Sequence, residues 1–291
     1  MPDFSNITLV SVTGLNNAQG AAYSLALCSR QMPQASALLF SPERPADLPP
    51  HIRHRVIAPL SYHEYSWFMM FALWKFIDTE FALVVQEDGW ILDIRNWSDD
   101  FLNYDYLGAP IALARVDMPE GIMWMRKFSW CEHLSKPDRI VRPVLNGGFS
   151  LRSRRMLRAL IDHPQIRVEI PPPDVMEVEP IHMSWFHGVL NEDVQLSAVL
   201  RPQLEAAGLK FAPLDLCLQF AVEDIGPLHN GLNAKHLFGM HGWWRRLAGI
   251  DPLTVRYGIA RQLVDQSDGE RTIIAMLQAR GYRIEFDPKP R

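Results

Sequence analysis

The stretch Phe81-Ala82-Leu83-Val84-Val85-Gln86-Glu87-Asp88-Gly89 decides the fold. Residues 81–86 form an apolar run in which neither alternating face is polar, the pattern of a central strand covered on both sides. Working outward, Ile7 to Val12 is a β-branched run ending in Thr13-Gly14, and Ala18 to Arg30 reads as a helix. Short strands are predicted at Ala37 to Phe40 and near Val56-Ile57, and a helix over Tyr62 to Ile77 leads into the Phe81 run. Such alternation predicts an α/β fold with a Rossmann-like, mostly parallel central sheet flanked by helices.

With 291 residues and 48% hydrophobic content, the chain can bury a substantial core. Its 29 Lys and Arg against 33 Asp and Glu give a net charge of -4, which argues against a nucleic-acid partner. Cys28, Cys131 and Cys217 match neither CxxC nor any zinc spacing, so they predict buried thiols in a reducing compartment. Met1-Pro2-Asp3-Phe4 opens no secretory signal, which predicts a cytoplasmic protein. The most lipid-like run, Trp67 to Trp74, lies between Glu64 and Lys75 and is far shorter than the roughly 20 residues of a membrane helix. It predicts a buried helix and no transmembrane segment.

Beyond Asp88 the pattern is less regular. Tyr104 to Pro110 predicts a short strand and turn, and Arg115 to Pro143 a long loop, ordered by Met123, Trp124, Met125 and Trp130. Asn146-Gly147-Gly148-Phe149-Ser150-Leu151-Arg152-Ser153 predicts a turn whose adjacent glycines let a ligand approach the main chain. Ser153 is expected to cap a short helix ending at Asp162, and Pro171-Pro172-Pro173 to form an extended connector. Glu192 to Ala207 predicts a helix closed by Gly208. From Asp251 onward, helices over Pro252 to Val264 and Glu270 to Ala279 predict a small helical hairpin, so the chain divides into residues 1–248 and an appendage of residues 249–291. Those C-terminal helices would supply any homo-oligomer contact.

Gly14 and Gly20 do not make GxGxxG, and GxxxxGK[ST] does not occur, which disfavours a Rossmann dehydrogenase and a P-loop enzyme. Gln86-Glu87-Asp88-Gly89 stands at the carboxyl end of the central strand, where open α/β sheets bind ligands. If the strand period continues, Gln86 and Asp88 share a face and Glu87 points away. A carboxylate there would hold Mg²⁺ or Mn²⁺ against a diphosphate, although Glu-Asp-Gly is equally a turn sequence. His241, in Phe238-Gly239-Met240-His241-Gly242, is a loop histidine, a second metal ligand or a donor to phosphate. Asn191-Glu192-Asp193 reads as a cap with acids in the first helical turn, or as the place of a general base at Asp193. His51 and His54, beside Arg53 and Arg55, read as a solvated segment.

The ordered series QEDGWIL, YDYLGAP, NGGFSLRS, NEDV, FAP and FGMHG, over about residues 5 to 245, resembles the GT-A glycosyltransferases, in particular a bacterial glycosyltransferase-like domain family of unassigned acceptor. The resemblance implies a GT-A fold and transfer of a sugar from a nucleotide-diphosphate sugar, UDP-linked by expectation, to a glycan, lipid-linked or other hydroxyl acceptor. It places Asp88 at the last acid of the DxD element and His241 at the C-terminal metal-binding histidine, with Mn²⁺ or Mg²⁺ between them. Gln86 replaces the first Asp of that element and brings no charge. Asn146, Gly147 and Gly148 correspond to a segment beside the donor sugar, Thr13, Gly14, Gln86 and Glu87 to the nucleotide side, and Asp193 with Glu192 to the catalytic acids of inverting members. If Asp193 only binds a donor hydroxyl, retention is implied instead.

On the acceptor side, Trp124, Trp130 and Trp185 are expected, the first two together with Met125 as a lid over substrate or as a hydrophobic cluster beneath a loop. A lipid-linked acceptor would bring the enzyme to the inner face of the membrane. Two other classes remain: a sugar nucleotidyltransferase, for which Thr13 to Gly20 lacks the basic residues a triphosphate needs, and a catalytically silent carbohydrate-binding or assembly protein.

Overall fold

The run with no polar face forms the middle strand of a seven-stranded sheet in the computed structural model, which describes residues 2–185, 188–231 and 233–287. The chain builds β1 (Ile7–Val12), α1 (Gln19–Gln31), β2 (Ser36–Ser41), β3 (Ile52–Val56), α2 (Tyr62–Trp67) and β4 (Phe81–Val85). It continues with β5 (Gly89–Ile91), β6 (Tyr106–Met118), β7 (Gly121–Met125), β8 (Ile140–Ser153) and α3 (Arg154–Asp162). The main sheet has the order β3-β2-β1-β4-β8-β6-β7. β1 to β4 are joined by parallel ladders, whereas β8 runs against both β4 and β6 and β7 runs against β6. Five of the seven strands therefore point one way.

Alternation along the central strands fills two layers. Ile7 and Leu9 of β1 and Leu83 and Val85 of β4 pack with Ala22, Leu25 and Ala26 of α1, while Val10, Val12, Ala82 and Val84 face Met69 and Leu73 on the other side. Each fully buried Leu or Val is worth about 1.5–3 kcal/mol relative to exposure, so a one-residue slip of β4 would be costly on both faces. Met69 and Leu73 lie on the continuation of α2, which passes through a π turn at Phe68–Ala72 and a 3-10 turn at Leu73–Phe76. Trp67 stays 49% exposed, so this segment is amphipathic and not wholly buried as expected. No helix of the described residues is long and apolar enough to cross a membrane.

Two sequence expectations fail in the middle of the chain. The loop expected over Arg115 to Pro143 is instead a hairpin of β6 and β7, followed by a short 3-10 helix at Ser129–His133 and the start of β8. The segment Asn146-Gly147-Gly148 is no turn but the interior of the 14-residue β8. It is a bulge: Gly108 pairs with Ser150 and Pro110 with Leu145, so a longer run of β8 opposes a shorter run of β6. Ser153 caps α3 as expected, its Oγ accepting from Met156 N at 3.1 Å.

After the antiparallel pair β9 (Val175–Val178) and β10 (Ile181–Ser184), the helix expected over residues 192–207 is broken into α4 (Glu192–Val194), a π turn at Gln195–Val199 and α5 (Arg201–Ala206). Asn191 occupies the N-cap position of α4 without a side-chain capping bond. Then come α6 (Leu214–Phe220), β11 (Ala221–Val222) and β12 (Gly239–His241), and β12 lies between β11 and β5 in a second sheet.

The C-terminal region is not a helical hairpin. It is a three-stranded sheet of β13 (Arg245–Ile250), β14 (Leu253–Tyr257) and β15 (Arg283–Phe286), with α7 (Arg261–Asp265) and α8 (Asp268–Ala279) between the last two strands, α8 being the helix expected over Glu270 to Ala279. Val255 and Tyr257 are fully buried and Arg256 between them is exposed, a two-residue period that rules out the expected helix over 252–264. The expected boundary at residues 248 and 249 falls inside β13. Val255, Tyr257, Leu277 and Tyr282 join the same buried cluster as α1, and Trp90 Nε1 of β5 donates to Tyr282 Oη at 3.0 Å.

Candidate active site

The strand β4 ends at Val85, and the chain then turns sharply, with Gly89 N bonded to Gln86 O at 3.1 Å, before running back as β5. The β5–β12 ladder pairs Gly89 with His241, so His241 is delivered beside Asp88 from a segment far along the chain. Further bonds lock the join: Gly242 N donates to Asp88 O at 2.9 Å and Leu247 N to Glu87 O at 3.0 Å. Gln86 N donates to Gly148 O at 3.0 Å, which ties the bulge of β8 to the same corner.

These elements enclose a cavity of ≈ 660 Å³ at the carboxyl edge of the sheet. Thr13 and Gly14 after β1 line one part of it, and Gln86, Glu87 and Asp88 after β4 another. Asn146, Gly147 and Gly148 of β8, Glu192 and Asp193 of α4, and His241 of β12 complete the wall. Every donor-side, catalytic and metal residue expected from the sequence thus meets the others in one cavity. Trp124, Trp130 and Trp185 do not line it. Trp130 is fully buried with Phe128, Ala114 and Val116 beneath the hairpin, so it belongs to a cluster under that hairpin and not to a lid. Trp124 sits on β7 opposite Arg115, and Trp185 Nε1 donates to Pro171 O at 2.9 Å.

The two glycines line the cavity and also make room for protein side chains. A Cβ on Gly147 would collide with Glu192 Oε1, and one on Gly148 would collide with both Gln86 Oε1 and His241 Nε2. Glu192 is held by Arg152, whose Nη2 donates to Glu192 Oε1 at 2.8 Å and to Gly147 O at 3.2 Å, with the guanidinium over the Tyr106 ring at 5.0 Å. The arginine is wholly buried, so this pair anchors α4 against β8 and takes Glu192 out of the set of free bases.

Asp193 is the acid left facing the cavity. Burial, then the neighbouring charges of Glu192 and Glu223, push its carboxyl up to about 7, against one bond from Val194 N at 2.8 Å that favours the ionised form. His241 has the opposite environment. Burial opposes its charge, but Asp88 at 3.0 Å from Nε2 and Glu223 at 3.3 Å from Nδ1 outweigh that and raise it to about 10. Burial likewise opposes ionisation of Asp88, and the charge of His241 overrides it, so the carboxyl lies below its ordinary value.

Asp88 Oδ1 and His241 Nε2 are buried and close, yet neither has a hydrogen-bond partner of good geometry. Gln86 gives its amide N–H to Tyr65 Oη, leaving Oε1 turned toward Gly148 in the corner that His241 also occupies, while Glu87 turns away to Arg246 at 3.1 Å. The shared face expected for Gln86 and Asp88 is therefore present. Among the described residues no group of three or more His, Cys, Asp and Glu is placed to hold a metal ion. One carboxylate, one imidazole and one amide oxygen fit an ion that takes its remaining ligands from phosphate oxygens and water.

The sequence reading missed Glu223 and Arg246. Glu223 follows β11 and accepts from Asn146 Nδ2 at 2.5 Å beside His241. Its signal was available: Ala221-Val222-Glu223-Asp224 repeats the apolar strand end followed by acids seen at Val84-Val85-Gln86-Glu87-Asp88. Among the described residues, Arg246 supplies the guanidinium on the cavity wall.

The family model described as "Protein of unknown function (DUF5672)" matches residues 57–241. No curated protein matches the chain. Among solved structures, the chain is similar to the crystal structure of the galactosyltransferase LgtC in complex with donor and acceptor sugar analogs, at 12% identity and a TM-score of 0.43, over 94% of this chain and 95% of that one. It is also similar to the structure of an active-site mutant of LgtC, at 12% identity and a TM-score of 0.42 over the same shares. By the match that spans most of its length and all but the first and last parts of the cavity wall, the chain belongs to the DUF5672 family.

Proposed function

We propose that the protein is a GT-A-type glycosyltransferase that moves a sugar from a nucleotide-diphosphate sugar, UDP-linked, to a hydroxyl acceptor with inversion. The observation that carries the reading is the division of labour in one cavity: a carboxyl raised to about 7 at Asp193, and, across the bulge of β8, the convergent Asp88 and His241. A base that titrates near neutrality can take a proton at the pH where it works.

In this reading Asp193 accepts the proton of the acceptor hydroxyl as that oxygen bonds to the anomeric carbon, and the bond from that carbon to the diphosphate breaks on the opposite face. Arg152 and Glu192 hold α4, and so Asp193, against Gly147. Arg246 lines the end of the cavity where Glu87 and Asp88 lie and is held there by Glu87. Asp88 and His241, with the amide oxygen of Gln86 beside them, would hold Mn²⁺ or Mg²⁺, which when bound neutralises diphosphate charge. Thr13 and Gly14 take the nucleoside side.

Isothermal titration with UDP tests this directly. Wild-type protein is expected to bind UDP with Mn²⁺ and much more weakly without it, Asp88→Asn to lose the metal dependence, and Asp193→Asn to bind as wild type does. Absence of UDP binding, or equal loss in both variants, would remove the assignment.

A further inference from the structure

A second cavity, of ≈ 620 Å³, opens on the far side of the Arg246–Glu87 ion pair and shares that pair, Leu15 and Trp243 with the first. It is a space between the start of α1 and the C-terminal sheet, and no step above uses it. Two features give it a chemical character. Trp243 is 62% exposed and rests on Trp244, with ring centroids 4.5 Å apart, while Trp244 Nε1 is fixed to Glu270 Oε1 at 3.1 Å. The exposed indole is therefore held on a fixed support. Second, the charges around it are satisfied within the protein: Arg246 by Glu87 at 3.1 Å, and Arg256 by Glu285 at 2.9 Å. The planar amides of Asn17 and Gln19 stand on the same wall.

An aromatic face with planar amides and no unbalanced charge is what a neutral, polyhydroxylated ring meets best, because its C–H face stacks on the indole and its hydroxyls find donors and acceptors at the edge. An anionic ligand gains little here, because each guanidinium already faces a carboxylate. We propose that the second cavity is a subsite for a neutral glycan, with Trp243 as its stacking platform and the Arg246–Glu87 pair as the threshold to the first cavity. Calling that glycan the acceptor rests on the transferase reading; the binding itself does not.

The test uses full-length protein with four neutral hexasaccharides as probes, maltohexaose, cellohexaose, chitohexaose and mannohexaose, followed by saturation-transfer NMR and tryptophan fluorescence. At least one is expected to bind saturably, to shift the fluorescence, and to remain bound when UDP and Mn²⁺ are added. Trp243→Ala is expected to weaken that binding at least tenfold, and Trp67→Ala, on an exposed residue outside both cavities, to leave it unchanged. A thermal melt shows whether Trp243→Ala is folded, and Trp243→Phe, which keeps a ring, is expected to recover part of the affinity. Failure of all four sugars to bind, indifference to Trp243→Ala, or displacement of the sugar by UDP overturns the subsite. Sugar binding without UDP binding keeps the subsite and removes the transferase reading; UDP binding without sugar binding does the reverse.

Discussion

Asp193 is half-buried between two other carboxylates, and that environment dictates how its variants behave. Its folded pKa of about 7 lies above the ordinary 3.8, so the folded protein holds a proton that the unfolded chain gives up. The resulting destabilisation is absent below about pH 4, grows as pH rises, and is complete above about pH 7. Asp193→Asn should therefore raise the melting temperature at pH 8 and leave it little changed near pH 4, which differential scanning calorimetry at both values checks. The same substitution should lower transfer by roughly 10²–10⁴-fold and abolish a rise of kcat/KM with pH centred near 7. Gly148→Ala is the complementary variant. Its Cβ collides with Gln86 Oε1 and His241 Nε2, so Mn²⁺-dependent UDP affinity should fall by roughly 10- to 100-fold, read by calorimetric titration. At this scale the sequence singled out Asp88, His241 and Asp193, each at a strand end or in a short motif, and the fold brings all three to one cavity. Glu223 and Arg246 were missed because their relevance comes from meeting His241 and Glu87 in space, which no local pattern records.

The elements show where local reading stops. β1, β2 and β4 were legible because their runs are apolar, and the alternation of Leu83 and Val85 with Ala82 and Val84 maps onto two clusters. β3 lies at Ile52–Val56, over the Arg53-His54-Arg55 stretch that reads as solvated, and meets the expected Val56-Ile57 only at its last residue. The bulge in β8 was not. Gly147-Gly148 has the composition of a turn, and only collision with Glu192, Gln86 and His241 explains why glycine is needed inside a strand. The C-terminal strands were hidden for a similar reason: β14 is short, and its burial depends on β13, β15 and α8 packed around it. α8 carries a distinct consequence. Arg245 is fully buried, paired with both oxygens of Glu270 at 2.7 and 2.8 Å, and donates to the carbonyls of Glu223 and His241, each at 2.7 Å. Glu270→Gln leaves that guanidinium buried without its counter-charge, which should cost about 3–5 kcal/mol in urea denaturation. The double variant Arg245→Met with Glu270→Leu should recover most of that stability but lose the clamp on His241, visible as faster amide hydrogen exchange at residues 239–242.

In the whole molecule, the site is assembled from regions that are distant in sequence: the ends of β1 and β4, the bulge of β8, α4, and β12 secured by the C-terminal sheet. Because Tyr257, Leu277 and Tyr282 share one core with α1 and β5, a chain ended at residue 250 should lose cooperative unfolding and near-ultraviolet circular dichroism instead of retaining an intact fold. The broad class, an α/β sheet with a cavity at its carboxyl edge, was readable from residues 7–89, since it follows from strand patterning alone. The site's closure was not, since it depends on β12 returning beside β5. The most direct test of the assignment is ¹H NMR of a panel of nucleotide-diphosphate sugars incubated with the protein and Mn²⁺. Slow release of free sugar and nucleoside diphosphate from at least one donor, lost in both Asp193→Asn and Asp88→Asn and retained in Trp124→Ala, is the expected result; turnover of none, or turnover unchanged in Asp193→Asn, would contradict it.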